Sequence, residues 1–543
     1  MGEFNLIEAD WIPCIDIEGR NVGHGIRDTL LKAGQLREIC DDSPLVTVAV
    51  HRLLLAILYR AFEGPNSFVD WRSLYFSGAF DSRRLDKYLD KWKDGFDLFS
   101  DNKPFYQMAR FKTKKPISVN RLATECASGN NPTLFDHCSD DIVVEWSPAQ
   151  TARQLIACQS FALGFGRSGN ATINGIDEEL PYSTDAIALR GMNVWLQGKS
   201  LFETLMINLV PINDGSLPSW ELANPNEYRD RLQGKKRAVV TSFGVVDRLT
   251  WQSRLVRLIS KASKISQMYF TQGRSADKSA GDPMKVYRSS KEEGISVLSL
   301  SSSKAAWRDV HSILTIPRAG SKERRPECFN VVARARYEAA VDTSQQFVAH
   351  IVGLSSAPNK AGKFLLWRHE RMPVPTALLG DANLIERLGE LIQNAEQAGR
   401  ELNYRSRRLA KLYLSPESES PDSRQPDKDE VTRIVEAIDP RPAYWARLEK
   451  GFFTLIENFP NDWNTAGNDW KPDGQQTATN AWRQHVKREA QRALEETIRS
   501  LGTSARAIQA VARVGTDFTD GDLKPQPQKT VKTKRKAKGG KKK

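Results

Sequence analysis

The sequence LIERLGELIQNAEQAGREL at residues 384–402 repeats apolar side chains at intervals of three and four residues. These side chains are Leu384, Leu388, Leu391, Ala395, Ala398 and Leu402. Because an α-helix has about 3.6 residues per turn, this spacing places them on one face. The stretch therefore predicts a long amphipathic helix, which ends before Ser415-Pro416.

Three more apolar stripes follow this helix. The polar segment 416–430, PESESPDSRQPDKDE, is predicted to be a flexible connector. After it the stripes consist of Leu448, Phe452, Leu455, Ile456 and Phe459, then Trp482, Val486, Ala490, Ala493 and Leu494, and finally a short one around Ile508 and Val511. Four apolar faces joined by short loops predict an antiparallel four-helix bundle over residues 376–515.

The part of the chain before the bundle has a different sequence pattern. Over residues 1–375 short strand-like and helical segments alternate irregularly, with Pro, Gly and Trp scattered among them. A β-hairpin is predicted there, with arms at 348–354 and 363–368 and a polar tip. Because single cores stop growing at about 250 to 300 residues, we expect an α+β fold with a large mixed body at 1–375 and the bundle behind it.

Positive charge is concentrated at the C-terminus. The chain of 543 residues has a net charge of +13, but residues 529–543 hold nine Lys or Arg and no acidic residue, which leaves +4 for the rest. Charge repulsion predicts that the tail at 516–543 is disordered and binds polyanions through counterion release. The tail is equally consistent with an incidental solubilising extension.

Several protein classes are excluded by sequence features. The opening MGEFNLIEADWIPC has acidic residues where a signal peptide needs basic ones. The apolar run 45–62 is interrupted by His51, Arg52 and Arg60, which favours a buried helix over a membrane span. Six cysteines without a C-x-x-C motif support neither a disulfide framework nor a zinc site. These features predict a protein of the reducing cytoplasm.

Residues Gly164-Phe165-Gly166-Arg167-Ser168-Gly169 match the pattern G-x-G-x-x-G. A dinucleotide site needs a strand before these glycines and a helix after them. Here a helix is predicted at 152–163 and turn-forming residues fill 170–175. The segment is therefore interpreted either as a loop whose backbone amides approach a phosphate chain or the floor of a groove, or as an ordinary connector.

Motifs for catalysis are largely missing from the sequence. The densest group of metal-capable side chains is at residues 136–141, DHCSDD, but neighbours in a loop rarely converge on one ion, so a solvated acidic loop is favoured. No phosphate-binding, nucleophile-elbow or kinase motif is present. His369 is interpreted as a structural histidine at a strand end. We therefore expect no catalytic residues, no metal and no cofactor.

Basic residues also occur in exposed, glycine-containing loops. Residues 272–285 include Arg274, Lys278 and Lys285, and the hairpin tip contains Asn359-Lys360. Asn, Lys and thin glycine loops suit the minor groove of DNA, and an inserted tip can separate a base step. Plain surface loops remain the alternative.

Two segments near the N-terminus carry a resemblance to a known family. Residues 5–13, NLIEADWIP, and the stretch from Phe96-Asp97-Leu98-Phe99 to Lys103-Pro104-Phe105-Tyr106-Gln107 resemble CasA, the large subunit of the type I-E CRISPR surveillance complex Cascade. The similarity continues through 150–170, 196–209 and 243–251 into the helical bundle. It covers nearly the whole chain before the tail.

This resemblance implies a non-catalytic protein that recognises the protospacer-adjacent motif of double-stranded DNA, starts duplex opening and docks a helicase-nuclease. Its partners would be crRNA and the other Cascade subunits, with no membrane. The glycine loop with Gly164, Gly166, Arg167 and Gly169 would enter the minor groove, and Asn359 and Lys360 would form a wedge. The loop containing Asn130, Asn131 and Phe135 would lie near the crRNA 5′ end.

The resemblance also implies a lysine finger, for which Arg274, Lys278 and Lys285 are candidates that the sequence does not separate. Two other hypotheses compete with a groove-reading subunit. One is a metal-dependent nuclease that uses residues 136–141. The other is a non-catalytic scaffold that binds nucleic acid nonspecifically through its tail.

Overall fold

The chain forms two compact units, residues 1–385 and 386–543; the sequence had placed the boundary at 376. The computed structural model describes residues 3–124, 144–164, 170–180, 183–222, 239–240, 242–261, 264–276, 281–290, 294–301, 303–356, 364–420, 425–464, 467 and 469–523. Helices and strands are mixed in the first unit and helices dominate the second, which confirms the α+β prediction. The predicted disordered tail lies mostly beyond the described ranges.

The helices of the first unit surround one long apolar helix. They are α1 (Ile26–Leu31), α2 (Pro44–Ala61), α3 (Phe68–Ser77), α4 (Ser82–Trp92), α5 (Pro148–Phe161), α6 (Leu201–Asn208), α7 (Val245–Leu249), α8 (Val310–Leu314), α9 (Glu327–Tyr337) and α10 (Thr376–Leu379). Ser43 starts α2 by accepting a hydrogen bond from the Val46 amide, and Pro44 occupies the first turn. Within the described ranges α2 alone is long and apolar enough to cross a membrane, and 94% of it is buried in the protein.

The strands form several small sheets. Their bounds are β1 (Ile12–Asp16), β2 (Asn21–His24), β3 (Leu36–Ile39), β4 (Phe111–Thr113), β5 (Ile117–Ser118), β6 (Asn170–Ile173), β7 (Ile176–Glu179), β8 (Asn193–Gln197), β9 (Val239–Val240), β10 (Arg254–Lys261), β11 (Lys264–Gln272), β12 (Ser275–Ala276), β13 (Tyr287–Ser290), β14 (Gly294–Val297), β15 (Gln346–Ser356) and β16 (Phe364–Pro375). The three-stranded orders are β2-β1-β3, β10-β11-β5, β4-β6-β7 and β16-β15-β8, and the pairs are β12-β9 and β13-β14.

The predicted hairpin is confirmed and is longer than expected. Strands β15 and β16 pair antiparallel from Gln346 opposite Pro375 to Ser356 opposite Phe364. On its other edge β15 pairs with β8, from Val348 opposite Gln197 onward. The hairpin is therefore part of a three-stranded sheet of the first unit.

The second unit contains the predicted helices and one more. Its elements are α11 (Ala382–Leu414), which begins at the end of the first unit, α12 (Lys428–Ala437), α13 (Arg441–Asn458), α14 (Thr477–Ser500), α15 (Ala505–Val514), and the short strands β17 (Trp463–Asn464) and β18 (Asp469–Trp470). The amide of Thr479 donates to Asp462 at one end of the α13–α14 pair, and the Thr497 hydroxyl donates to the Ile438 carbonyl at the other. These contacts make the two helices antiparallel.

Helix α12, which the sequence did not predict, begins at Lys428 and takes the last three residues of the predicted connector 416–430. Asp427 caps it by accepting from the amides of Asp429 and Glu430. Val431 and Val435 bury their side chains against Ala410 of α11. A stripe this short gives too weak a periodic signal in the sequence, so the helix is recognisable only once α11 lies against it.

Candidate nucleic-acid interface

The glycine segment connects helix α5 to strand β6. Ser147 caps α5 by accepting from the Gln150 amide, and the chain continues in extended form to Gly164 before β6 begins at Asn170. The predicted helix upstream is thus confirmed, and the order helix, glycines, strand is the reverse of a dinucleotide site. Gly166, Arg167 and Gly169 lie outside the described residues.

Gly164 is held close to a neighbouring segment. Its amide donates to the Asp185 carboxylate over 2.9 Å. A Cβ atom at this position would lie 3.1 Å from the carbonyl oxygen of Ser183. Glycine therefore lets the start of the loop pack directly on residues 183–185, because any side chain would crowd that backbone.

Arg254, which the sequence analysis missed, holds the backbone on both sides of the Gly164 contact. Its side chain is 1% exposed on β10, and it donates to the carbonyl oxygens of Leu163 at 2.9 Å and Thr184 at 2.8 Å. It also donates to Gln272 Oε1 at 3.0 Å. Burial lowers the pKa of Arg254 to about 10. An arginine in an apolar strand sequence was the available signal, but its partners are distant in the chain.

Arg274 does not present its charge at the surface. Its guanidinium is 4% exposed and pairs with both oxygens of Asp247 in α7, at 2.6 Å and 3.1 Å. It also lies over the Trp251 ring, 3.7 Å from the centroid. The expectation that Arg274 contacts DNA is corrected by this placement, since the side chain is buried and both of its terminal nitrogens donate to Asp247.

Lys285 is likewise a buried cation. It is 3% exposed, and its Nζ donates to the carbonyl oxygens of Ile187, over 2.9 Å, and of Arg190. Burial lowers the pKa of Lys285 to about 8, although Asp282 opposes that shift. The expectation of DNA contact is corrected here too. Of the three finger candidates, Lys278 lies outside the described residues.

A second buried ion pair stands beside Lys285. Asp282 Oδ2 lies 2.9 Å from Arg52 Nη1 in the middle of α2, and both side chains are buried. Burial alone would raise the pKa of the Asp282 carboxyl, but Arg52, Lys285 and Arg248 outweigh it and hold the pKa below its usual value. Residues 277–280 therefore have a buried ion pair on each side, Arg274–Asp247 before them and Asp282–Arg52 after them.

Hydrogen bonds also hold described residues of the hairpin and the residue that precedes segment 125–143. Asn193 in β8 pairs with Val352 of the hairpin and bridges to Lys285. The Thr124 hydroxyl, just before the segment that contains Asn130, Asn131 and Phe135, donates to the Phe161 carbonyl at the end of α5 over 3.3 Å. Those three residues, and Asn359 and Lys360 at the hairpin tip, lie outside the described ranges.

Segment 183–193 joins the bases of three predicted DNA-contacting elements. Asp185 accepts from the Gly164 amide, and the Thr184 carbonyl accepts from Arg254, which also donates to the Leu163 carbonyl. The Thr184 hydroxyl donates to Ser275 Oγ over 3.1 Å, one residue before the end of β12. Asn193 holds the hairpin. Described residues that flank these elements, up to about two hundred residues apart in sequence, are thus hydrogen-bonded to one segment.

A cavity of about 460 Å³ is lined by His51 of α2, His350 of β15 and His369 of β16. His350 Nε2 donates to Gln197 Oε1 over 2.7 Å, so its Nδ1 accepts from His369 Nε2 over 2.9 Å. Burial lowers the pKa of His51 and of His369 to about 4, and that of His350 to about 2. His369 is therefore a member of a neutral hydrogen-bonded pair.

Groups that could hold a metal ion were sought throughout the described ranges, and no set of three His, Cys, Asp or Glu side chains is suitably placed there. The segment 136–141 lies outside those ranges. Cys14, Cys40, Cys158 and Cys328 are free thiols. The described structure therefore offers no metal-binding set to a nuclease reaction.

Comparison with known proteins accounts for this architecture. Residues 5–493 match the family described as CRISPR-associated protein Cse1. The chain is 30% identical to the CRISPR-associated protein CasA/Cse1 of Thermus thermophilus over 95% of its own length and 96% of the relative's. A solved structure of Thermus thermophilus CasA superposes with a TM-score of 0.75 at 26% identity, covering 96% of this chain and 98% of that one.

More distant structures share the fold. Cse1 of Thermobifida fusca has a TM-score of 0.74 at 20% identity and covers 96% of this chain and 98% of its own. A chain of a CRISPR RNA-guided surveillance complex has a TM-score of 0.74 at 19% identity, with coverage of 95% and 99%. The resemblance noted in the sequence is thereby confirmed, and the chain belongs to the CRISPR-associated Cse1 family, also called CasA.

Proposed function

We propose that this chain is the large subunit of a type I-E CRISPR surveillance complex and reads the protospacer-adjacent motif of double-stranded DNA. It then starts strand separation and recruits the helicase-nuclease that degrades the target. Its partners are crRNA and the other Cascade subunits. Base pairing to the guide reads the target sequence, so this subunit needs groove-directed loops and positive charge and has no catalytic step of its own.

The observation that carries this proposal is the convergence on segment 183–193. A glycine loop, a segment with Lys278 and a hairpin tip with Asn359 and Lys360 start from one rigid base. A motif of a few base pairs can be read only by elements that reach it together, and buried anchors such as Arg254 keep their starting points fixed. The arrangement supports a composite groove reader.

Within this proposal Lys278 is the lysine finger. Arg274 and Lys285 are buried and bonded to carboxylate or carbonyl oxygens, so they act as positioning residues for the segment between them. Gly166, Gly169 and Arg167 enter the minor groove, Asn359 and Lys360 form the wedge, and Asn130, Asn131 and Phe135 lie at the crRNA end.

The deciding experiment uses the chain assembled with its crRNA-bearing partner subunits. Affinity is measured for target duplexes that differ only in the flanking motif, at two salt concentrations, with the full chain and with residues 529–543 deleted. We expect a difference of about 1 to 3 kcal/mol per altered base pair that persists after the deletion. Equal affinity for all flanking motifs would contradict the proposal and leave the nonspecific scaffold.

The nuclease alternative has its own test. The isolated chain is incubated with labelled duplex and with Mg²⁺ or Mn²⁺, alongside Asp140→Ala/Asp141→Ala. We expect no cleavage by either protein. Metal-dependent cleavage that disappears in the variant would establish the nuclease instead.

A further inference from the structure

A run of cations begins just before strand β4 and continues into the bend after it, next to β6, the strand that follows the glycine segment. Residues 110–115 are RFKTKK, without an acidic residue. Phe111 is 1% exposed and packs into a core cluster with Ile173. Because side chains alternate along a strand, Lys112 faces away from that core. Lys112, Lys114 and Lys115, the β4 lysine row, are all exposed.

The strand register fixes where this row stands. In the β4–β6 pair, Lys112 lies opposite Thr172 and Thr113 lies opposite Ala171. The ladder ends at Thr113, and Lys114 and Lys115 lie in the bend that follows, where the Thr113 hydroxyl donates to the Lys115 carbonyl. The row therefore stands at the end of the sheet where β6 begins at Asn170, the first described residue after the glycine segment.

Charge is distributed asymmetrically across this sheet. On the far side of β6, strand β7 carries Asp177, Glu178 and Glu179. The hydroxyl of Thr172 in the central strand donates to Asp177 over 2.6 Å. The three lysines form no ion pair with any residue in the described ranges. An approaching polyanion is attracted to the β4 side of the sheet and repelled from the β7 side.

The spacing matches a duplex whose minor groove is entered at the glycine loop. Adjacent strands are about 4.8 Å apart, and the minor groove is about 6 Å wide between its phosphate walls. If a loop lies in the minor groove, a cation one strand away from that loop is therefore near one of the phosphate walls of the groove. Contacts to phosphate position a protein on DNA without reading its sequence.

We infer that the β4 lysine row binds the phosphate backbone bordering the groove that the glycine loop enters, and so sets the position of the protein on the duplex. This inference rests on the proposed function. It adds a sequence-independent binding surface to the elements that read the motif, and it assigns that surface to three described side chains.

The test is Lys112→Gln/Lys114→Gln/Lys115→Gln in the assembled complex. Binding to motif-bearing and motif-lacking duplexes is measured over a salt series. We expect both affinities to fall by the same factor, the motif preference to stay unchanged, and the slope of log K against log salt to shrink by about 0.9 for each engaged lysine. Neutral methylphosphonates beside the motif should weaken the wild type more than the variant.

A matched control is available in α4 and the turn after it, where Lys87, Lys91 and Lys93 are also exposed. Those lysines alternate with Asp86, Asp90 and Asp94, so Lys87→Gln/Lys91→Gln/Lys93→Gln removes the same charge from a mixed surface. We expect its salt slope to match the wild type. A β4 variant that also keeps the wild-type slope and affinity overturns the inference.

Different results would overturn the proposed groove reading and the proposed role of the lysine row. If the wild-type complex has no motif preference, groove reading fails whatever the β4 variant does. If the preference is present but methylphosphonates weaken wild type and variant equally, only the lysine row is overturned. A melting temperature equal to that of the wild type establishes that the exposed substitutions leave the fold intact.

Discussion

Arg274 and Asp247 form a two-pronged buried ion pair, at 2.6 Å and 3.1 Å, next to the segment that contains Lys278. A guanidinium that is held by both carboxylate oxygens, stacked on Trp251 and buried is not accessible to a phosphate. The pair therefore anchors the chain three residues before position 277. The charge of Arg274 is therefore neutralised within the protein.

Breaking this pair should destabilise the first unit. Asp247→Asn leaves Arg274 as an uncompensated buried charge, for which we expect a loss of about 3 to 5 kcal/mol in the free energy of unfolding. Urea unfolding measures the loss. The double variant Asp247→Leu/Arg274→Met should recover most of it, whereas Lys264→Gln, which removes the exposed partner of Glu145, should change stability little. Full stability of Asp247→Asn would contradict the anchoring role.

Substitutions of Lys278 and of Arg274 should have different effects on DNA binding and on thermal stability. If Lys278 is the finger, Lys278→Gln lowers the affinity of the assembled complex for motif-bearing duplexes about tenfold, which corresponds to about 1.4 kcal/mol, and leaves the melting temperature unchanged. Arg274→Gln should instead lower the melting temperature. Competition binding and thermal melting on the same preparations check both. The finger assignment is abandoned if Lys278→Gln binds like the wild type.

The hairpin tip should act after the first encounter. Separating a base step costs a few kcal/mol, so Asn359→Ala/Lys360→Ala should slow strand opening about tenfold while initial duplex affinity changes by less than about twofold. Fluorescence of a 2-aminopurine beside the motif follows opening. Arg371→Ala, at the exposed opposite end of β16, is the control. Equal loss of affinity and opening, or loss of neither, would count against a wedge.

The histidine cluster should make stability depend on pH. Burial lowers the pKa values of His51 and His369 to about 4 and that of His350 further, while unfolded histidine titrates near about 6.5. Stability is thus complete above pH 6.5 and is lost as pH falls from about 6.5 toward 4, because the unfolded chain takes up protons that the folded cluster refuses.

Melting temperatures between pH 7.5 and about 4.5 measure this dependence, since these three groups together should take up about two and a half protons on unfolding at the lower end. His350→Gln/His369→Gln should flatten the profile, and His311→Gln in α8 should not. An unchanged slope in the double variant would show that other groups cause the acid sensitivity.

The C-terminal tail should contribute affinity but no selectivity. Deleting 529–543 removes nine positive charges, so we expect weaker binding to every duplex and a smaller salt slope. The ratio of affinities for motif-bearing and motif-lacking duplexes should remain. Loss of that ratio on deletion would mean that selectivity resides in the tail, and scrambling residues 529–543 at constant composition is the control for charge alone.

Local sequence patterns predicted much of the fold. The stripe from Leu384 to Leu402 predicted α11, the pair Ser147-Pro148 marked the start of α5, and two β-rich runs predicted the β15–β16 hairpin. Each signal depends on residues close in the chain. Helix α12 was missed because its stripe is short and its partner, Ala410, belongs to an earlier helix.

The candidate site was only partly predictable. The sequence offered Arg274 and Lys285 as surface cations because their loops are polar and contain glycine. Their partners, Asp247 for one and the carbonyl oxygens of Ile187 and Arg190 for the other, cannot be recognised without the fold. Arg254 passed unnoticed for the same reason, since it bonds to oxygens that lie about ninety residues earlier.

The sequence by itself determined the family, the mixed body followed by helices, the placement of charge in the tail and the lack of familiar catalytic motifs, because these depend on composition, periodicity and short motifs. Only the tertiary structure decided which cations are buried and that the bases of the glycine loop, the Lys278 segment and the hairpin meet at residues 183–193. Burial and convergence depend on contacts between segments distant in sequence, and these form only when the first unit folds.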